Sequence, residues 1–67
     1  MSVARVTEIT AASPIGFEDA VRVGLKRAEK TLDNVTGAWI QDQEVVVEDD
    51  EIVEYRVHMK ATFILND

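Results

Sequence analysis

The sequence predicts an α+β fold of the order β-α-β-β, in which the apolar face of a sheet covers one helix. Three patterns support it: thirteen alternating residues near the C-terminus, apolar residues at spacings of three and four before them, and an acidic turn between the last two strands. A length of 67 residues allows one domain, spanning 1–67. Because so short a chain buries only about 60% of its unfolded surface and has no cysteine, we expect subunit association to stabilise it.

The first strand is expected between Val3 and Thr10, where Val3, Val6 and Ile9 stand among polar residues. Their spacing of three departs from the period of two that a regular strand keeps. We therefore expect a short strand with a bulge near Thr7–Glu8.

The helix is predicted to begin at Ser13-Pro14, because serine can cap free amides and proline suits the first helical position. Asp33-Asn34 is expected to end it. The predicted apolar face consists of Phe17, Ala20, Val21, Gly24, Leu25, Ala28, Leu32 and Val35. Within this face Ala20, Gly24 and Ala28 form a line of small residues, which would allow a sheet to approach the helix backbone closely.

The second strand is predicted from about Gly37 to Val47 and forms a hairpin with the third. In a regular strand two sets of side chains would face opposite ways: Trp39, Gln41, Gln43 and Val45 against Ala38, Ile40, Asp42, Glu44 and Val46. The run Glu48-Asp49-Asp50-Glu51 is expected to be a solvated turn, because it lacks the residue spacing of a calcium-binding loop.

The third strand alternates from Val53 to Leu65, with apolar residues at every odd position. At about 3.3 Å per residue it would be roughly 43 Å long. A compact chain of this length has a diameter of roughly 28 Å. The strand must therefore curl round its own helix, reach a neighbouring subunit, or do both, so the sequence predicts a building block of an oligomer.

The net charge of −6 comes entirely from the second half of the chain. Residues 1–35 carry five acids and five bases, whereas residues 36–67 carry eight acids against Arg56 and Lys60. This balance argues against nucleic acid and against an anionic membrane surface as partners. No apolar run has the length of a signal peptide or a membrane span, so a cytoplasmic location is expected.

Taken together, these residues resemble those of the dodecins, small bacterial and archaeal proteins of this length and β-α-β-β order. The matching features are Ser13, Ala28, Asp33-Asn34-Val35, Asp42-Gln43, Tyr55, Phe63 and Leu65. The resemblance implies a hollow homododecamer in which three-stranded sheets wrap round the helices. It also implies storage or sequestration of flavin, as FMN or riboflavin, rather than catalysis.

In flavin-binding dodecins, paired ring systems stack on a tryptophan early in the second strand, and a glutamine after the third-strand tyrosine binds the ring. Aligned without gaps, this sequence has Gly37 at the tryptophan position and Arg56 at the glutamine position. Trp39 lies two residues later and would take the stacking place if the loop before it were two residues longer. These departures resemble a second dodecin-like group that is associated with calcium.

The candidate ligand-binding residues are Trp39, Gly37, Arg56 and Gln43, and the candidate metal ligands are Asp42 and His58. An indole offers a flat face for a planar ligand, and arginine pairs with phosphate. The alternatives are that Trp39 packs at a subunit contact, that Arg56 pairs with Gln43, Glu44 or another subunit, and that His58 is a surface or interface residue.

Three functions are compatible with this sequence. The first is a dodecin-like shell that binds a planar ligand such as flavin, and the second is a flavin-free shell that binds calcium or magnesium. The third is a small interaction module whose exposed third-strand edge pairs with another protein. Catalysis is not expected, because Ser13 has no base beside it and the one histidine has no obvious nucleophile in register.

Overall fold

The computed structural model describes residues 3–65 and has the predicted element order. The elements are β1 (Ala4–Ser13), α1 (Phe17–Ala28), β2 (Val35–Glu48) and β3 (Glu51–Ile64). The strands form one antiparallel sheet in the order β1-β3-β2, and α1 packs on β1 and β3. Because β3 is paired on both sides, the expectation of an exposed third-strand edge is wrong. The predicted α+β fold, with one helix against a three-stranded antiparallel sheet, is confirmed.

The first strand is longer and more regular than predicted. It pairs with β3 without a break from Ala4 opposite Ile64 to Ser13 opposite Tyr55, so the bulge expected near Thr7–Glu8 is wrong. The prediction failed because it counted Val6 as an inward residue. Thr7 lies on the half-buried face of β1, and Val6 is exposed. Once Thr7 is counted on that face, the strand keeps a period of two.

Both predicted ends of the helix are wrong. Ser13 is the last residue of β1, and the N-cap is Gly16, which makes no side-chain capping bond. The helix ends at Ala28, whose carbonyl accepts hydrogen bonds from the amides of the next turn, instead of at Asp33-Asn34. Asn34, immediately before β2, has a φ of 59°, a left-handed conformation.

The core lies between α1 and the middle of β3. Ala20, Val57 and Met59 are buried together, and Ile9, Ala11, Phe17, Val21 and Leu25 pack round them. Ala20, Gly24 and Ala28 are the buried positions of α1, as the line of small residues predicts. The ring centroids of Phe17 and Tyr55 lie 5.1 Å apart in an edge-to-face arrangement that closes one end of this core.

A bulge in β2 changes which side chains share a face. Ile40 pairs with Met59 and Asp42 pairs with His58, so Gln41 is an extra residue. Trp39 and Asp42 therefore lie on the same face, and the predicted grouping of Trp39 with Gln43 is wrong. A count of alternating residues gives no signal for a single inserted residue.

The predicted turn between β2 and β3 is confirmed, and its loop consists of two residues. Glu48 pairs with Glu51, and Asp49 and Asp50 have φ values of 51° and 63°. Two consecutive left-handed residues are the mark of a type I′ turn, whose twist suits a hairpin.

The subunit is elongated, with extents of 51 × 20 × 13 Å and a radius of gyration of 13.8 Å. A compact chain of this length has a radius of gyration of about 11 Å. The twelve-residue helix is only about 18 Å long, so β2 and β3 extend well past it. Within residues 3–65, no helix is long and apolar enough to cross a membrane.

Candidate functional site

The sheet face opposite the helix, called here the outer face, carries the polar side chains of β3. Because paired residues of neighbouring strands point to the same side, the register arranges this face in rows across β1, β3 and β2. The rows are Ala12–Arg56–Glu44, Thr10–His58–Asp42, Glu8–Lys60–Trp39 and Val6–Thr62–Gly37. Five of the six predicted site residues therefore lie on one face, and Gln43, which pairs with buried Val57, lies on the other.

Trp39 is the most exposed aromatic residue of the outer face, with 68% of its surface accessible. Gly37 lies on the same face, as predicted, and a Cβ added there would meet no atom within 4 Å. The ammonium nitrogen of Lys60 lies 5.7 Å from the centroid of the Trp39 ring, within the range of a cation–π interaction. The indole thus has open space on the Gly37 side and a cation on its face.

Sequence reasoning missed Lys60, although the turn holds the signal that finds it. Counting back from the two-residue loop at Asp49-Asp50 pairs residue 39 with residue 60 in a regular hairpin. Two register shifts lie between the turn and Trp39. One adds a residue to β3 near Val53 and the other adds Gln41 to β2, so the pairing at Trp39 is the same as in a regular hairpin.

His58 joins all three strands through its ring nitrogens. Nδ1 lies 3.2 Å from Oγ1 of Thr10 on β1, and Nε2 lies 3.2 Å from Oε1 of Glu44 and 3.7 Å from Oδ1 of Asp42 on β2. The structure therefore brings the two predicted metal ligands, Asp42 and His58, together and adds Glu44. Across residues 3–65, however, no group of three or more such side chains is arranged to hold a metal ion.

Arg56 binds a carboxylate on its own strand. Its Nε donates a hydrogen bond of 2.7 Å to Oε2 of Glu54, instead of pairing with Gln43 or Glu44 within the chain as expected. Glu44 is held by His58. Arg56 is also four residues from Lys60, about 13 Å along the strand, so it lies in a different row from Trp39.

The bulge at Gln41 opens a shallow depression of about 270 Å³ beside His58. Its polar lining comes from all three strands: Glu8, Thr10, Gln41, Asp42 and His58. Oxygen and nitrogen donors thus surround this depression, whereas the row beside it offers an aromatic face and a cation. The outer face thus combines a surface for stacking a planar molecule with a neighbouring set of oxygen and nitrogen donors.

Comparison with known proteins agrees with this geometry. The Dodecin family model matches residues 3–66. A relative from Mycobacterium tuberculosis named Calcium dodecin is 29% identical over 63 residues, which are 94% of this chain and 89% of that protein.

Solved structures show the same likeness. The dodecin from Streptomyces davaonensis has a TM-score of 0.95 at 33% identity, covering 98% of this chain and 97% of that chain. The dodecin from Streptomyces coelicolor has a TM-score of 0.94 at 30% identity, covering 98% and 94%. Because the family model spans nearly the whole sequence and the fold is shared throughout, this chain belongs to the dodecin family.

Proposed function

We propose that this protein is the subunit of a non-enzymatic homododecameric shell that binds or sequesters a planar ligand, flavin in the form of FMN or riboflavin. The observation that carries this proposal is the exposed indole of Trp39 on the outer face. An aromatic ring left in water is a ready surface for stacking a flat molecule. The proposal keeps the cytoplasmic location expected from the sequence.

Assembly is supported by apolar side chains at the end of the hairpin. Val47 and Ile52 are paired across the strands and are 56% and 52% exposed, and Val45 and Val53 beside them are partly exposed as well. The helix is too short to cover this end of the sheet. Burial of these residues against other subunits would supply the apolar contact that one small core lacks.

Flavin binding is supported by the room beside Trp39. Gly37 projects no side chain over the outer face, so on that side of Trp39 a ring can lie against the indole without meeting a side chain of β2. The Arg56 guanidinium is held by Glu54. Its row is next to that of His58 and two rows from that of Trp39. We therefore place the ring at Trp39 and Gly37. Neither Gln43, on the opposite face, nor Arg56, which is paired with Glu54, has a part in binding it.

The test is a titration of FMN and riboflavin into the purified assembled protein, followed by tryptophan and flavin emission. Stacking should quench both, and Trp39→Ala should weaken binding by about 1–3 kcal/mol, as for base–aromatic stacking. Trp39→Phe is the matched control and should retain most of the affinity. If neither FMN nor riboflavin quenches the emission at tens of micromolar, the proposal is ruled out. Light scattering should give a mass of about 90 kDa, twelve times the 7.5 kDa chain.

The second candidate is a flavin-free shell that binds calcium or magnesium. The relative named Calcium dodecin favours it, as does the cluster of His58, Asp42 and Glu44. A chain with a net charge of −6 gives about −72 for twelve copies, which attracts cations to the shell as a whole. A specific site would need ligands from more than one subunit.

A further inference from the structure

Lys60 is the one cation of the outer face that contacts the aromatic ring proposed to bind the ligand. It pairs with Trp39 across β2 and β3, and its Nζ lies 5.7 Å from the ring centroid. Glu8 is its neighbour on β1, yet Lys60 extends toward the indole. Within residues 3–65, no carboxylate oxygen lies within 4.0 Å of this ammonium group.

Arg56, the other cation of this face in β3, differs from Lys60 in both respects. Its charge is paired with Glu54 at 2.7 Å, and its row lies about 13 Å along the strand from that of Trp39. Lys60 is therefore the nearer of these two cations to a ring stacked at Trp39, and within residues 3–65 it has no ion pair to give up.

We propose that Lys60 is the residue that determines ligand specificity, by selecting planar ligands that carry an anionic group over neutral ones. This inference rests on the proposed function, since it concerns the ligand that stacks on Trp39. A ring that takes the indole face moves the ammonium group aside, and the flexible four-carbon stem keeps it at the ring edge. An anionic ligand replaces the lost cation–π contact with an ion pair, whereas a neutral ligand does not.

The test compares FMN with riboflavin, which differ only by the phosphate group, on the assembled protein. The wild type should bind FMN about 3-fold to 10-fold more tightly, the size expected of one partly exposed ion pair. Lys60→Met, which keeps most of the stem and removes the charge, should abolish this preference by weakening FMN alone. Lys60→Arg should retain it. Arg56→Met removes the same charge from the same face and is the matched control, which should keep the preference.

A second measurement needs no variant. The ratio of the two affinities in the wild type should fall toward one as monovalent salt rises to about 1 M, because the Debye length shrinks to about 3 Å. An unchanged preference in Lys60→Met, or a preference lost in Arg56→Met instead, would overturn the role of Lys60 while leaving flavin binding intact. Failure of both flavins to bind the wild type would overturn the proposed function, and this inference with it.

Discussion

Gly24 of α1 lies directly against the terminal methyl of Met59 in β3, so that a Cβ at this position would overlap it. The same Cβ would come within 2.8 Å of the Cβ of Ala11. Met59 is flexible but fully buried, and Ala11 has no side-chain freedom at all. The close approach of helix and sheet therefore depends on glycine at this one position.

Gly24→Ala should destabilise the fold, although alanine favours a helix by about 1 kcal/mol. Overpacking of this kind costs typically about 1–3 kcal/mol, so we expect a small net loss of unfolding free energy, measured by chemical denaturation. Gly37→Ala is the matched control, because its Cβ would meet nothing within 4 Å. Equal or greater stability of Gly24→Ala would mean that the packing of α1 on the sheet adjusts at a cost no greater than the gain in helix propensity.

Ser13 is buried between the end of β1 and the start of the helix, with 2% of its surface exposed. Its Oγ donates a hydrogen bond of 2.6 Å to Oδ2 of Asp19 and accepts one of 3.0 Å from the amide of Ile15. Ser13→Ala should lower the unfolding free energy by about 1–3 kcal/mol, because both partners lose a bond in a partly buried place.

The control for Ser13→Ala is Glu18→Gln, because Glu18 lies beside Asp19 in the first turn of α1. Glu18 forms an exposed ion pair with Arg22, and exposed pairs contribute little. A double-mutant cycle of Ser13→Ala with Asp19→Ala should show a coupling energy of at least about 0.5 kcal/mol. Strict additivity would show that the hydroxyl acts through Ile15 alone.

The sequence predicted those parts of the fold in which one periodicity runs without interruption. The alternation of β3 and the small residues of α1 both identified buried positions, because Val57, Met59 and Ala61 of β3 lie on the face that the small residues of α1 cover. The first strand was misjudged where Val6 is exposed and Thr7 is half-buried. There the residue's place in the pleat, set by pairing with β3, overrides its own hydrophobicity.

The candidate site was less predictable, because it depends on which residues of β2 and β3 lie opposite each other. The extra residue Gln41 moves Asp42 to the face of Trp39, and only the register shows that His58 meets both Asp42 and Glu44. Composition alone identified the indole and the acids. Composition does not pair Trp39 with Lys60, because that contact depends on the length of the turn and on two register shifts that compensate for each other.

Val47, at the exposed end of the hairpin, should be required for assembly. Val47→Asp places a charge where the proposed shell buries an apolar pair with Ile52, and charges are costly in such contacts. We expect light scattering to show a mass far below that of the wild type at micromolar concentration. Val47→Thr keeps the branched shape without a charge and should still assemble. A full-sized assembly of Val47→Asp would place the subunit contacts elsewhere.

Divalent cations should raise the melting temperature of the assembled protein, because ions that bind only the native state add linkage free energy. At a concentration 100 times the Kd this amounts to about 2.7 kcal/mol for each site. Oδ1 of Asp42 and Nε2 of His58, the predicted ligands, lie 3.7 Å apart on the outer face. Asp42→Asn should therefore reduce the rise in melting temperature that millimolar calcium or magnesium produces.

Asp49→Asn is the control for the cation experiment, because it removes the same charge from the hairpin turn, in a different part of the chain. A specific site predicts that Asp42→Asn loses most of the gain and that Asp49→Asn keeps it. Equal losses in the two variants would instead indicate screening of the overall charge of −6, which monovalent salt at matched ionic strength should reproduce. If neither EDTA nor added calcium changes the melting temperature, the hypothesis of a cation-binding shell is rejected.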